Sequence, residues 1–277
     1  MFYYQLKNEL TKLFGKKRTY IGFGMFLVAQ LIVIILFTKT PRMLLNSIRR
    51  SGFEPEEFIS TLTIATLMVT FLASLLLPLY VSLVGGDIVS KEAEDGTLRM
   101  ILCRPISRVR LLCVKWTAGL VFSCVLVFAL GFFGLLFSSF WFPIKGGMFT
   151  MVPGQEFGFL DPVTGLRHYA LAHVVMVGKA TAIMSLAFMF SCFNMKPAAA
   201  TILALSLILI DWILMQIPFF EDFRPWFLHH YLNAWELCLL ERIPWWQMEQ
   251  GVFVTFGFSL TVLIIGITAF QVRDIKS

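Results

Sequence analysis

The stretch from residue 59 to residue 84, ISTLTIATLMVTFLASLLLPLYVSLV, has 26 residues and contains no charged side chain. A helix needs about 20 mostly apolar residues to cross the hydrocarbon core of a bilayer. The stretch is therefore long enough to span a membrane as one helix. Pro78 near its end removes a backbone donor and predicts a local kink.

The composition of the whole chain agrees with a membrane protein. Hydrophobic residues make up 58% of the 277 residues and charged residues only 14%, whereas soluble domains average about 45–50% and about 25%. These values exclude a disordered or low-complexity chain and argue against a soluble enzyme. The net charge of +6 would suggest nucleic-acid binding in a soluble protein. In a membrane protein it indicates instead which ends of the spans face the cytoplasm, and we expect no nucleic-acid partner.

Five further apolar segments resemble the first. The six predicted spans cover residues 20–37, 59–84, 117–142, 169–193, 198–217 and 251–270. We therefore predict an all-α integral membrane protein in which residues 1–277 form a single transmembrane domain. Nineteen residues, including Glu9, precede the first span, so we expect that span to be retained rather than cleaved as a signal peptide.

The distribution of Lys and Arg predicts the orientation. Of the 23 Lys and Arg residues, 14 lie before the first span, in the loops after the second and fourth spans, or after the last span. These regions are 1–19, 85–116, 194–197 and 271–277. The remaining loops, 38–58, 143–168 and 218–250, hold eight. Basic residues accumulate on the cytoplasmic side, which predicts a multi-pass protein of the plasma membrane with both termini in the cytoplasm.

Residues 2–14 read as an amphipathic helix that precedes the first span. One face carries the large apolar side chains of Phe2, Leu6, Leu10, Leu13 and Phe14. Such a helix would lie on the inner leaflet and lead into the first span. The alternative is an ordinary flank at the start of a span.

The outer loop 218–250 is rich in aromatic residues and is interrupted by prolines. The segment 226–242 predicts a short re-entrant helix that dips into the outer membrane face or packs over the helix bundle. The alternative is an interfacial helix on the surface.

The cytoplasmic loop 85–116 carries the most specific signals. Asp95-Gly96 indicates a turn, and Thr97 is suited to cap a new helix. Arg104-Pro105 would end that helix. Short helices with charged faces and a small apolar face suit docking to another protein. Composition alone equally allows a basic loop with no further role.

Three short motifs follow one another in this loop. Glu92-Ala93-Glu94-Asp95-Gly96-Thr97-Leu98 is followed by Pro105-Ile106-Ser107-Arg108 and then by Leu111-Leu112-Cys113-Val114-Lys115. The series resembles the permease subunits of ATP-binding-cassette type-2 exporters. Many members have Gly where this chain has Val114.

The resemblance implies that transport and ATP hydrolysis are carried out by different subunits. Such permeases work with separate ATPase subunits, which bind ATP and Mg²⁺, and two permease chains assemble with two ATPases. A homodimer is thus expected. Residues 92–104 resemble the coupling helix that enters a cleft on the ATPase, with contacts from Glu92, Glu94, Gly96, Thr97 and Arg104. No Gly-x-x-x-x-Gly-Lys-[Ser/Thr] loop occurs in the chain, so we expect it to bind no cofactor itself and to have no catalytic residues.

Two charged residues lie within predicted spans. Lys179 is near the middle of the fourth, and Asp211 is near the outer end of the fifth. These spans run antiparallel, and the two depths differ by about 6 Å. A charge inside a bilayer needs a partner or a wet cavity, so the two residues predict either an ion pair within the bundle or a polar site on a transport path.

Two other classes of function remain open at this point. An intramembrane enzyme would need Lys179 and Asp211 as its catalytic pair, because neither His-Glu-x-x-His nor Gly-x-Ser-x-Gly occurs. An ATP-independent transporter or channel would not need the structured charged loop. The five cysteines show no metal-site spacing, so no metal site is expected.

Overall fold

The computed structural model describes residues 2–39, 59–103, 106–152 and 157–272, and these ranges are almost wholly helical. The helices are α1 (Phe2–Gly15), α2 (Lys17–Lys39), α3 (Thr61–Glu94), α4 (Thr97–Leu102), α5 (Arg108–Ser138), α6 (Pro162–Cys192), α7 (Pro197–Gln216), α8 (Leu228–Leu232), α9 (Ala234–Leu237) and α10 (Trp245–Val272). A 3₁₀ helix, Pro218–Trp226, follows α7, and two short strands, β1 (Met148–Thr150) and β2 (Gly158–Leu160), precede α6.

Six of these helices are long and apolar enough to cross a membrane. They are Thr19–Lys39 within α2, together with α3, α5, α6, α7 and α10. The predicted all-α integral membrane fold is therefore confirmed. The first helix, α1, packs mainly against α5 rather than lying apart from the bundle. Its apolar face, including Leu6, Leu10 and Phe14, contacts the core.

Short-range capping fixes where three of the helices begin. Ser60 precedes α3 and accepts a hydrogen bond from the Thr63 amide at 3.3 Å. Ser107 does the same for the Arg110 amide at the start of α5. Asp161 caps α6 through the Thr164 amide at 3.1 Å. Each cap satisfies one of the amides that the first turn of a helix leaves unpaired.

The two helices beside the predicted cytoplasmic loop are longer than the spans read from the sequence. The apolar run ends at residue 84, but α3 continues to Glu94, and α5 already begins at Arg108. The extra turns remain helical because Ile88 and Val89 are buried against neighbouring helices. Hydropathy marks where lipid contact ends, whereas packing decides where a helix ends.

The predicted coupling helix 92–104 is consequently not one helix. It breaks at Asp95-Gly96, where Gly96 adopts a φ of +73°, a left-handed conformation that favours glycine. Glu92 and Glu94 belong to the last turn of α3, and a separate short helix, α4, follows the break. The predicted turn at Asp95-Gly96 and the new helix from Thr97 are confirmed, and the turn divides the segment 92–104 that resembles a coupling helix.

A small hairpin that the sequence did not predict covers the other end of the bundle. Strands β1 and β2 pair antiparallel, with Phe149 opposite Phe159. The Phe149 amide donates to Thr63 Oγ1 at 2.9 Å, and Thr150 Oγ1 donates to the Leu239 carbonyl at 2.9 Å. The hairpin therefore joins the start of α3 to the segment after α9.

The segment from α8 to residue 239 packs over the bundle. Trp235 is only 1% exposed, and Leu232, Cys238 and Leu239 are also buried. Their neighbours lie on α6 and α10. The 3₁₀ helix before α8 has no buried residue. Of the three expectations for this loop, packing over the bundle holds for residues 228–239, although two short helices replace the single helix predicted over 226–242.

Close packing of α3 on α6 depends on a small residue at position 85. A Cβ at Gly85 would overlap the backbone carbonyl oxygen of Met184, which cannot rotate away. We expect Gly85→Ala to destabilise the protein by about 1–3 kcal/mol, as overpacking of a core does. Gly257→Ala is the matched control, because nothing lies within 4 Å of a Cβ there. Thermal unfolding in detergent checks both variants, and equal effects would contradict this packing argument.

Candidate functional site

Four charged residues from three helices meet at one end of the bundle. Lys115 Nζ on α5 lies 2.8 Å from Glu9 Oε2 on α1 and 2.8 Å from Glu92 Oε2 on α3. Lys12 Nζ lies 2.7 Å from Glu9 Oε1 and 3.3 Å from Glu92 Oε1. We call Glu9, Lys12, Glu92 and Lys115 the charge quartet. Each lysine bridges both glutamates, so the four charges balance.

The members of the charge quartet differ in exposure: Lys115 and Glu9 are buried, the Glu92 side chain is 16% exposed, and the Lys12 side chain is 39% exposed. Lys115 is 1% exposed and Glu9 is 8% exposed. Burial alone raises the pKa of Glu9, but the charges and hydrogen bonds of Lys115 and Lys12 outweigh it and hold that pKa below its usual value. Burial lowers the pKa of Lys12, yet the two glutamates raise it overall. The shifts keep Glu9 and Lys12 charged near neutral pH.

Next to the charge quartet, the chain forms a tight, polar turn. We call residues 91–103 the coupling turn. Lys91 Nζ lies 2.8 Å from Glu94 Oε2 and 3.1 Å from Asp95 Oδ1. Thr97 Oγ1 donates to the Glu92 carbonyl at 3.3 Å. This bond ties the first residue of α4 back to the end of α3.

Helix α4 carries apolar side chains that differ sharply in exposure. Leu98 is 2% exposed and joins the core, whereas Met100 is 67% exposed. An exposed methionine is a flexible apolar side chain that adapts to a partner surface. The coupling turn therefore presents the apolar side chain of Met100 in addition to the exposed charged groups of Glu94 and Asp95.

The predicted coupling residues do not share one surface. Glu92 points inward to the charge quartet, and its side chain is 16% exposed. Glu94 and Gly96 are exposed, and Thr97 is partly buried. Arg104 lies outside the described residues. Contact of these residues with an ATPase stays a prediction. Glu92 is held inside the charge quartet, so its predicted part in coupling is to connect helices rather than to touch the ATPase surface.

Sequence reasoning missed Glu9 and Lys115 as partners, although a signal was present. Each charge interrupts the apolar face of its helix. Glu9 lies between Leu6 and Leu13, and Lys115 lies between Leu111 and Ala118, all at helical spacing. A charge on a face that is otherwise buried predicts a buried partner of opposite sign. The sequence does not reveal which partner.

The two charges within the spans are not joined to each other. Lys179 Nζ donates to Asn233 Oδ1 at 2.8 Å and lies 5.9 Å from the centre of the Trp235 ring. Asp211 accepts hydrogen bonds from the amides of Leu228 and His229 at 3.2 and 2.5 Å. The expected Lys179–Asp211 pair is therefore corrected, because each side chain finds its partner in the segment that packs over the bundle.

The contacts of Asp211 and Lys179 anchor the segment from α8 to residue 239 at two points. Asp211 satisfies amides at the start of α8, the orphan donors of a helix N-terminus. Lys179 holds the link between α8 and α9 and attracts Glu236 nearby. Burial raises the pKa of Glu236, and the positive charge of Lys179 opposes the rise. Within the described ranges, no group of three or more His, Cys, Asp or Glu residues is placed to hold a metal ion.

Removing one member of the charge quartet tests its role. Lys115→Met leaves Glu9 and Glu92 facing each other without their buried cation. Breaking a buried ion pair in this way costs about 3–5 kcal/mol, and we expect a matching loss of thermal stability. In the control, Lys91→Met, we expect a change of no more than about 1 kcal/mol, because its ion pairs with the exposed Glu94 and Asp95 are surface pairs. If both variants melt alike, the charge quartet does not hold α1 in place.

A double-mutant cycle tests the separation of Lys179 from Asp211. We expect Lys179→Met and Asn233→Ala to couple by at least about 0.5 kcal/mol, because the two side chains are hydrogen-bonded. Lys179→Met and Asp211→Asn should instead be additive, and the swapped pair Lys179→Asp with Asp211→Lys should not recover stability. Unfolding midpoints in one detergent measure all combinations. Rescue by the swap would restore the original pairing hypothesis.

One known protein family matches the part of the chain that contains the charge quartet and the coupling turn. The family model described as ABC-2 family transporter protein matches residues 5–211. The matched region includes the charge quartet and the coupling turn and ends at Asp211. No curated protein matches the chain significantly.

Proposed function

The chain belongs to the ABC-2 transporter family and is a membrane-embedded transport permease, and on that premise we propose that it is the transmembrane subunit of an ATP-driven exporter. Its partners in this proposal are separate ATPase subunits, which carry ATP and Mg²⁺, and a second copy of the permease. The observation that carries the proposal is the geometry of the coupling turn.

The coupling turn is attached directly to a membrane-spanning helix. Helix α3 runs from Thr61 to Glu94 without interruption, a length of about 50 Å at about 1.5 Å per residue. This exceeds the roughly 30 Å of a hydrocarbon core, so part of α3 extends beyond it. A displacement at Glu94 is therefore passed into the membrane through one continuous helix.

The charge quartet spreads the same displacement to two more helices. Glu92 is on α3, Lys115 is on α5, and Glu9 with Lys12 is on α1. The ion pairs of Lys115 with Glu9 and Glu92 resist separation, because the Lys115 side chain is only 1% exposed and parting them would leave its charge unpaired away from water. Movement of the coupling turn would thus move α1, α3 and α5 together.

The bias of basic residues supports the orientation of this end toward the cytoplasm. The regions on this side hold most of the Lys and Arg residues, as cytoplasmic loops do. In this proposal both termini are cytoplasmic and the protein lies in the plasma membrane. A soluble ATPase then has access to the coupling turn and to Met100.

The contacts of Lys179 and Asp211 argue against an intramembrane enzyme that uses these two residues as its catalytic pair. Lys179 and Asp211 bond to different groups, so they do not form a proton-transfer dyad. An ATP-independent transporter or channel remains the second class of function. It differs from the proposal in one measurable respect, the association with an ATPase.

Co-purification from native membranes tests the proposal. The tagged chain, solubilised in a mild detergent, should bring down an ABC ATPase and ATP hydrolysis. Met100→Asp should reduce recovered ATPase by at least about ten-fold, because it places an unpaired charge in the interface. Met151→Asp is the matched control, since Met151 is 46% exposed at the hairpin end of the bundle.

Two outcomes would contradict the proposal. The first is a folded wild-type chain that brings down no ATPase and shows no ATP-driven flux in vesicles. The second is an equal loss of ATPase for Met100→Asp and Met151→Asp, which would indicate that the coupling turn is not the docking site.

A further inference from the structure

Lys179 is a buried cation that the chain does not pair with a carboxylate. It lies near the middle of α6 and is only 2% exposed. Its one hydrogen bond in the described part of the chain goes to the neutral amide oxygen of Asn233. Glu236 attracts it from a longer distance, but no ion pair joins the two residues. A charge inside a membrane is costly and marks a functional site by default, and a ligand of negative charge would offset that cost.

The groups around the Lys179 ammonium have hydrogen-bonding capacity to spare. An ammonium has three N–H donors, and Asn233 accepts from one of them at 2.8 Å. Trp235 is 1% exposed, its ring centre lies 5.9 Å from Lys179 Nζ, and its Nε1–H has no acceptor among the described residues. Nδ1 of the buried His229 likewise has no partner there. Buried donors without acceptors are costly, so this site favours a ligand that supplies acceptor oxygens.

The site offers one positive charge together with neutral donors. Burial and the positive charge of Lys179 lower the pKa of His229 to about 4, so its imidazole is neutral near neutral pH. A carboxylate has one negative charge and two acceptor oxygens, and it therefore matches both the charge and the donors. A doubly charged phosphate would exceed the single charge of Lys179.

The site adjoins the surface of the bundle and is bordered by a lipid-exposed helix. Asn233 and Glu236 are partly exposed, so the ammonium lies just below that surface. Helix α7 contacts α8 beside the site. Several large apolar side chains of α7 are exposed on the outside of the bundle, namely Leu207, Ile210 and Trp212. An approach along α7 therefore favours a carboxylate carried by an apolar molecule over a free anion.

We propose that Lys179 binds the carboxylate of an apolar organic acid, with Trp235 and His229 as neutral donors to its oxygens. The ligand class is a carboxylate attached to a long apolar chain. The assignment of such a molecule as cargo rests on the proposed transport function. The binding itself does not, and it is measured on the isolated chain without an ATPase.

Ligand-dependent stability of the purified full chain tests the proposal. Unfolding midpoints are measured in detergent with oleate, with methyl oleate and with acetate. Oleate should raise the midpoint. Methyl oleate lacks the charge and acetate lacks the apolar chain, so neither should produce the same rise.

Two pairs of variants assign the response to the site. Lys179→Met should need at least about ten-fold more oleate for the same rise, because it removes a charge-assisted hydrogen bond. Lys145→Met, which removes an exposed lysine, should respond like the wild type. Trp235→Phe keeps an aromatic ring but loses the N–H, and it should need roughly five-fold more oleate. Its control is Trp246→Phe, because Trp246 is 78% exposed. Trp235→Phe also decides the question if Lys179→Met does not fold.

Three results would overturn the proposal. The first is an equal response to oleate of the wild type, Lys179→Met and Trp235→Phe, which would show that oleate binds elsewhere. The second is a rise with methyl oleate that matches the rise with oleate, which would show apolar binding without a charge partner. The third is a rise with acetate at the same concentrations, which would assign the site to free anions. None of these results depends on whether an ATPase co-purifies, so this proposal and the proposed function fail separately.

Discussion

Lys115 is almost wholly removed from solvent, and its ammonium group is tolerated there because Glu9 and Glu92 each place a carboxylate oxygen 2.8 Å away. The three residues lie on three different helices. The arrangement of α1, α3 and α5 at this end of the bundle therefore depends on one electrostatic requirement. Lys12 completes the balance, so that two negative and two positive charges share the site. The coupling turn adjoins this cluster.

Among the described residues, the opposite end of the bundle is held by hydrogen bonds from both neutral and charged side chains. Asp211 caps the start of α8, and Lys179 reaches Asn233 just before α9. The hairpin contributes a further tie through Thr150 and Leu239. This end is therefore covered by chain segments that are too short to fold alone. They are ordered because polar groups on the long helices have partners there.

Between the two ends, α3 and α6 form the centre of the bundle, and they approach closely because small residues face large ones. Gly85 of α3 lies against the Met184 carbonyl of α6, and Gly119 of α5 lies against the Met184 side chain, so α5 also packs closely on this centre. Membrane helices pack through such contacts because lipid is as apolar as their own side chains. An ABC-2 permease must also change shape during transport. In the proposed mechanism, the helices joined by the charge quartet move together against this centre.

The sequence by itself determined the class of protein, the six spans, the turn at Asp95-Gly96 and the family motif. These features depend on local length, hydropathy and turn chemistry, which are readable from neighbouring residues. It did not determine the continuation of α3 to Glu94 or the partners of Lys115, Lys179 and Asp211. Only the tertiary structure decided these, because a buried charge pairs with the group that packing brings near. The closest group along the chain or at a similar depth need not be that partner.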